Sequence, residues 1–239
     1  MAGQTLQCAN QLVDALPALE RDALAAHLEH VDLVPHSTLT EPGKPLVYAY
    51  FPHASVACLM AEMQRGIAAT ATVGPEGMIG FETLLGARVA TQWVRVQVGG
   101  SASRLPIETL GMLARAHPRL NHLLLGYVRY LFAQVLQSVA CNARHTLMER
   151  CARWLLMTQD RAGTPKFALT QELLAEMLGS HRPSVTMVAR DMQAAGLISY
   201  SRGMIKITDR PGLERASCEC YRTVRTALEE ILFRPPRED

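Results

Sequence analysis

The sequence predicts an α+β chain in three parts: an N-terminal β jelly roll, a long helix, and a C-terminal pair of short helices followed by a two-stranded wing. Three observations predict it. Residues 31–105 break into short apolar-alternating runs separated by Gly, Pro and Ser. Residues 117–161 contain no proline after Pro118 and repeat apolar side chains every three or four positions. Residues 169–209 hold two amphipathic stretches that meet at a glycine, then two strand-like runs. Period two marks strands and a period near 3.6 marks helices, so the three patterns assign three architectures.

Taken in order, residues 1–29 read as helical, because Leu12, Leu16, Leu19, Ala23 and Leu24 recur at helical steps. The runs of 31–105 are the length of strands and are bounded by turn residues, which suits a small antiparallel barrel or jelly roll. Gln64-Arg65-Gly66 is one expected hairpin tip, and Gly74-Pro75-Glu76-Gly77 is another turn. In the long helix, Leu124, Val128, Leu131, Val135 and Val139 form an expected seam, with Asn142 at its end. Tyr127, Phe132 and Leu136 widen the apolar surface. Such a helix buries one face on its own domain and another elsewhere, and a two-stranded coiled coil with a second copy fits. A break is expected at residues 142–146, after which Cys151, Trp154 and Leu155 face the core of the last unit.

In that unit, Leu173, Leu174, Met177 and Leu178 give the first helix its apolar stripe. Gly179 follows, where a chain leaving a helix favours positive φ. Ser180 and Pro183 are expected to open the second helix, the hydroxyl as a cap and the proline in the first turn. Val185, Val188, Ala189 and Met192 are its buried face and Gly196 its end. Arg202-Gly203 marks a hairpin tip before Ile205 and Ile207. Two helices joined at a glycine, the second opening with polar residues, form the arrangement that places a helix in the major groove of DNA.

The net charge of +2 carries no signal for nucleic acid, but its distribution does. Between 179 and 210, Arg182, Arg190, Arg202, Lys206 and Arg210 stand against only Asp191 and Asp209. A local excess of this kind displaces phosphate counterions. Of the six cysteines, only Cys218 and Cys220 are close in sequence. There is no C-x₂-C pair to join a histidine pair at zinc-finger spacing, so no metal site is expected. No nucleophile elbow or Walker loop is present, which argues against an enzyme. No apolar run reads as a membrane span or signal peptide, so a cytoplasmic protein is expected.

The stretch GSHRPSVTMVARDMQAAGLISYSRGMIKITDR resembles the winged helix-turn-helix of the Crp–Fnr family of bacterial transcription regulators. Thr170 matches the family threonine that opens the first helix and touches phosphate, and Arg182 matches the first base-reading arginine. Pro183 stands where cyclic-AMP-responsive members have a base-reading glutamate, and Met187 where they have a second arginine, so the DNA sequence read should differ. With these matches the expected DNA-facing set is Thr170, Ser180, His181, Arg182, Ser184, Thr186, Met187, Arg190 and Arg202. The stretch GMIGFETLLGARVATQWVRVQV is similar to the family's phosphate cassette for a cyclic nucleotide. Phe81 occupies the ribose-binding glutamate position and Ala90 the phosphate-binding arginine position, while Thr91 keeps the hydroxyl. Glu82 and the out-of-register Arg88 complete the expected pocket. A buried phosphate without its arginine is costly, so cyclic AMP is not the expected effector.

The resemblance implies a sensor domain at 1–112, a dimerisation helix at 113–147 and a DNA-binding domain at 148–239. It implies double-stranded DNA, a second copy of the chain, RNA polymerase and an unidentified small-molecule effector as partners. Neither haem nor an iron–sulfur cluster is expected. His27 and His30, one helical turn apart, and His53 are the candidates for haem, and only one cysteine lies in the first 57 residues. The alternative readings are a haem-based gas-sensing regulator and a ligand-binding adaptor whose helix-turn-helix has degenerated.

Overall fold

The computed structural model describes residues 9–64 and 66–233. Residues 1–8, with Cys8, and Arg65 of the expected Gln64-Arg65-Gly66 tip lie outside the described residues. The N-terminal segment forms two helices, α1 (Gln11–Asp14) and α2 (Ala18–Ala25), not one. Pro17 stands at the N-cap of α2, where its missing N–H and fixed φ begin a helix but do not continue one. Leu19, assigned to the apolar stripe, is consequently exposed.

Seven strands follow: β1 (Glu29–Leu33), β2 (Thr38–Thr40), β3 (Tyr48–Pro52), β4 (Val56–Met63), β5 (Gly66–Val73), β6 (Trp93–Val98) and β7 (Gly100–Pro106). They form two antiparallel sheets, β1-β7-β3 and β2-β6-β4-β5. Their inner faces share one core, to which Phe51 and Leu105 contribute from one sheet and Leu59, Ala71 and Val94 from the other. A 3₁₀ turn (Phe81–Leu85) lies between β5 and β6. The predicted turn at 74–77 closes with a bond from the Gly77 N–H to the Gly74 carbonyl, 3.0 Å.

The chain then enters α3 (Ile107–Ala116) and α4 (Pro118–Arg144). The expected boundary after residue 112 therefore falls inside α3. Glu20 of α2 caps α4 from a distance: its carboxylate accepts from the Leu120 N–H at 2.5 Å, where a negative charge suits a helix N-terminus. Among the described residues, α4 is the one helix long and apolar enough by composition to cross a membrane. Its apolarity has another cause, because two of its faces bury protein. Leu124, Tyr127 and Leu131 pack into the core of the N-terminal domain, and a C-terminal helix covers a second face.

The predicted break falls at His145–Thr146. Helix α5 (Leu147–Ala162) starts with a capping box in which Thr146 and Glu149 satisfy each other's backbone N–H. Then come β8 (Lys166–Ala168), α6 (Gln171–Leu178), α7 (Arg182–Ala194), β9 (Ile198–Ser201), β10 (Met204–Ile207), α8 (Arg210–Ala216) and α9 (Cys220–Phe233). The wing has three strands, β8-β10-β9, one more than the sequence suggests. Cys151, Trp154 and Leu155 of α5 are buried in the core shared with Val185 and Met192 of α7.

Helix α9 returns antiparallel along α4. Cys220 at its start lies beside Gln137, and Ile231 approaches Gly126, where an added Cβ would meet it at 3.4 Å. The C-terminal region therefore does not stand apart from the N-terminal domain. Buried polar contacts join the two. Arg161 of α5 donates to Glu76 of the 74–77 turn at 2.6 Å and to the Tyr130 hydroxyl at 3.1 Å. Gln97 of β6 donates to Thr158 at 3.0 Å.

Candidate nucleic-acid interface

The two-helix unit forms for local reasons. Thr170 caps α6, its hydroxyl accepting from the Leu173 N–H at 3.1 Å. Gly179 takes φ +55, a left-handed turn that lets the Ser180 N–H bond back to the Ala175 carbonyl at 3.0 Å. Because the Ser180 N–H closes α6, Ser180 lies outside α7. The cap position of α7 is His181, which makes no side-chain cap bond, and Pro183 sits in the first turn. The expected capping by Ser180 is thus corrected, while the glycine and proline act as their chemistry predicts. At the wing tip, Arg202 (φ +50) and Gly203 (φ +74) both turn left-handed, as a two-residue hairpin requires.

Val185, Ala189 and Met192 bury one face of α7. His181, Arg182, Pro183, Met187 and Arg190 are exposed on the other, and Ser184 is half-buried. Thr186 is held between the helices: its hydroxyl lies 2.8 Å from Gln171 Oε1 and 2.9 Å from the Arg182 carbonyl. It positions α7 on α6. The Tyr200 N–H donates to Gln193 at 2.8 Å and ties the wing to α7. A cleft of about 310 Å³ separates the start of α6, the start of α7 and the wing tip. Thr170, Gln171, Arg182, Tyr200 and Arg202 line it, so two guanidinium groups and a hydroxyl share one concavity. Burial raises the Tyr200 phenol pKa, and the Arg182 charge partly offsets that.

In the N-terminal domain, a cavity of about 470 Å³ lies between the sheet and α4. Leu59, Met60, Phe81, Val128, Leu131 and Val135 make it mostly apolar, with Glu62, Thr91 and Gln92 at its polar edge. Of the five residues expected there, Phe81 and Thr91 line it. Glu82, Arg88 and Ala90 do not. Glu82 turns inward, accepts from Gln92 at 2.9 Å, and burial raises its carboxyl pKa. Ala90 is buried beside the strands. Arg88 is exposed, with its backbone carbonyl bonded to the Leu46 N–H, so it is held away from the cavity. Among the described residues no lysine or arginine lines the space, so a bound phosphate would meet no cation from them there.

The histidine candidates do not gather at this cavity. His27 follows α2 and His30 lies on β1, so they share no helix. His30 instead stacks near His53, with ring centroids 5.8 Å apart.

The expected helix seam also changes. Leu124 (1% exposed) and Leu131 (3%) are spent inside the chain's own core and cannot face a partner. Val128 and Val135 are half-buried, and Val139 is open. The exposed apolar side chains are Leu125, Phe132, Leu136 and Val139. Leu125, Phe132 and Val139 repeat every seven residues, and Val128, Val135 and Asn142 repeat three residues after each, which is the spacing of a coiled-coil seam. Helical periodicity alone cannot separate two adjacent stripes when both are apolar.

Two groupings escaped the sequence reading. One is the buried Glu76–Arg161 pair. The other gathers Cys141, His145, Cys218 and Cys220. The sequence offered no C-x₂-C spacing for such a set, because its members come from two distant segments. Cys218 lies in the turn before α9 and Cys220 in its first turn, so the two thiols need not diverge as they would on one helix.

Residues 149–216 match the family model of the Crp-like helix-turn-helix domain. No curated protein matches the chain. Among solved structures, FixK2 from Bradyrhizobium japonicum is 16% identical, with a TM-score of 0.68 over 80% of this chain and 98% of that one. The c-di-GMP-responsive global regulator CLP from Xanthomonas campestris is 15% identical, with a TM-score of 0.66 over 81% and 100%. A CRP/FNR-family transcriptional regulator from Thermus thermophilus is 22% identical, with a TM-score of 0.60 over 79% and 98%. At these identities the likeness is one of fold. The chain therefore carries a match to the Crp-like helix-turn-helix domain at residues 149–216, and as a whole it shares the fold of solved structures of Crp/Fnr-type transcription regulators.

Proposed function

We propose that this protein is a sequence-specific DNA-binding transcription regulator that acts as a homodimer on pseudo-palindromic sites. The observation that carries this reading is the exposed face of α7, where Arg182 and Arg190 stand clear of the core with Arg202 of the wing alongside. Side chains in the first turn of such a helix reach base edges, and a guanidinium fork matches guanine O6 and N7. Thr170 and Arg202, flanking the cleft beside Arg182, suit phosphate oxygens. Pairing α4 with α4 of a second copy through the seam at 125–142 supplies the two-fold axis. Successive major grooves about 34 Å apart then accept the two α7 helices. RNA polymerase is the partner through which a bound dimer acts on transcription. The sensor reports an effector other than cyclic AMP through the angle between the units.

Selection of bound sites from random DNA, followed by gel shift, tests the reading. Arg182→Ala is expected to lower specific affinity by about 1–3 kcal/mol and relax base preference at one position per half-site. A loss equal on all sequences would make Arg182 a phosphate contact. Failure of the wild type to select any sequence would favour an adaptor.

Cyclic AMP is expected to give no heat in titration calorimetry at micromolar concentrations and to leave DNA binding unchanged. Replacing a buried charge-assisted pair by the Ala90 methyl costs at least about a hundredfold in affinity. Micromolar binding that Arg88→Ala abolishes would mean that the loop moves and brings Arg88 into the cavity.

A further inference from the structure

We propose that Cys141, His145, Cys218 and Cys220 bind one zinc ion that clamps the end of α4, and its junction with α5, to the start of α9. The four residues come from two segments far apart in sequence. Cys141 lies in the last turn of α4 and His145 is the residue that caps it, with the His145 N–H bonded to the Cys141 carbonyl at 3.0 Å, so the two stay on the same end of the helix. Cys218 and Cys220 flank the turn that opens α9. All four ligand atoms lie within 4.8 Å of one another.

The spacing fits a single tetrahedral ion. Zinc bond lengths of about 2.3 Å to sulfur and 2.0–2.1 Å to nitrogen imply tetrahedron edges of about 3.8 Å between sulfurs and about 3.5 Å between sulfur and nitrogen. Cys141 Sγ and Cys218 Sγ are 3.6 Å apart, and Cys220 Sγ and His145 Nδ1 are 3.5 Å apart. A disulfide would bring two sulfurs far closer. An iron–sulfur cluster would spread the ligands over several irons and hold them wider.

Three further features point to a ligand. His145 Nε2 faces Glu219 Oε2 at 3.3 Å, the carboxylate–histidine arrangement that leaves the Nδ1 lone pair for a metal. Gln137 donates to Cys220 Sγ at 3.0 Å, a bond that favours thiolate. Arg153 is 1% exposed and lies within electrostatic reach of Cys141. Its guanidinium donates to Ser138 at 3.2 Å, its Nε has no partner, and no carboxylate pairs with it among the described residues. Guanidinium stays charged, and a buried charge requires compensation. Three thiolates and one zinc ion carry a net charge of −1, which supplies it. On binding, the three thiols release their protons to solvent, four coordination bonds form and no electrons move. The S₃N donor set selects a borderline or soft cation over magnesium or calcium.

Elemental analysis of the full-length protein, purified under reducing conditions and dialysed, tests this directly and independently of DNA binding. One zinc per chain is expected. After chelation, cobalt(II) should produce thiolate-to-metal charge transfer and the intense visible bands of a four-coordinate ion. Zinc addition should bleach them and raise Tm. Cys218→Ser with Cys220→Ser should abolish both signals, His145→Cys should retain them, and Glu219→Gln should weaken zinc affinity about 10–100-fold. If the double serine variant fails to fold, the wild-type cobalt spectrum and His145→Cys decide. Folded wild type that retains no zinc and shows no tetrahedral cobalt spectrum overturns the proposal. So does stoichiometric iron with inorganic sulfide, or a Cys141–Cys218 disulfide in the protein as isolated.

Discussion

Glu76→Gln is expected to destabilise the chain by about 3–5 kcal/mol, because it strands a buried guanidinium. The side chains of Glu76 and Arg161 are 4% and 7% exposed and meet at 2.6 Å. The approach is tight around them too: a Cβ on Gly74 would come within 2.6 Å of the Arg161 side chain. A surface pair would contribute about 1 kcal/mol or less, so burial decides the size of the effect. Replacing both partners with apolar residues, Glu76→Leu with Arg161→Met, should recover much of the loss, since the pair's desolvation cost disappears with it. Urea denaturation measures both variants. A single-variant loss within about 0.5 kcal/mol, the range of ordinary surface changes, would mean that water reaches the pair and that it does not lock the two units.

The second large effect is expected at the α4 seam. Phe132 and Val139 are 63% and 64% exposed in the single chain. Burying each against a second copy contributes about 1.5–3 kcal/mol, and the two-fold axis counts each side chain twice. A nanomolar dimer holds about 12 kcal/mol, so Phe132→Glu with Val139→Lys removes a large part of it and leaves unpaired charge in the seam. Sedimentation should show monomers with unchanged circular dichroism, and specific DNA binding should be lost with the dimer. Wild type that sediments as a monomer at micromolar concentration would sink the dimer. The same substitutions at Leu131 would not be informative, because that side chain is core and a charge there would disrupt the N-terminal domain.

The contrast between those two positions shows what a one-dimensional pattern carries. Leu131 and Phe132 are neighbours, both apolar, and both fit a helical repeat. Only the sheet packed against Leu131 and the open space beside Phe132 tell them apart. The cavity residues divide in the same way. The replacement of arginine by Ala90 was visible as a change of residue type, but the exclusion of Arg88 depends on its carbonyl bonding to Leu46 across the barrel.

What the sequence determined by itself is whatever a few consecutive residues control. Gly179 and the Arg202-Gly203 tip adopt positive φ, Pro183 sits in a first helical turn, and the α4–α5 break falls where Thr146 and Glu149 can cap each other. Each follows from local sterics or a hydrogen bond within a few positions, so no distant partner is needed to read it. Tertiary structure alone decided the rest. Glu76 meets Arg161 across 85 positions, and Cys141 meets Cys218 across 77. Nothing in the local spacing of either pair encodes the meeting. It follows from the return of α9 along α4 and of α5 onto the 74–77 turn. The physical reason is that chain entropy makes distant contacts form only when the whole core closes, and burial then selects which polar groups must pair.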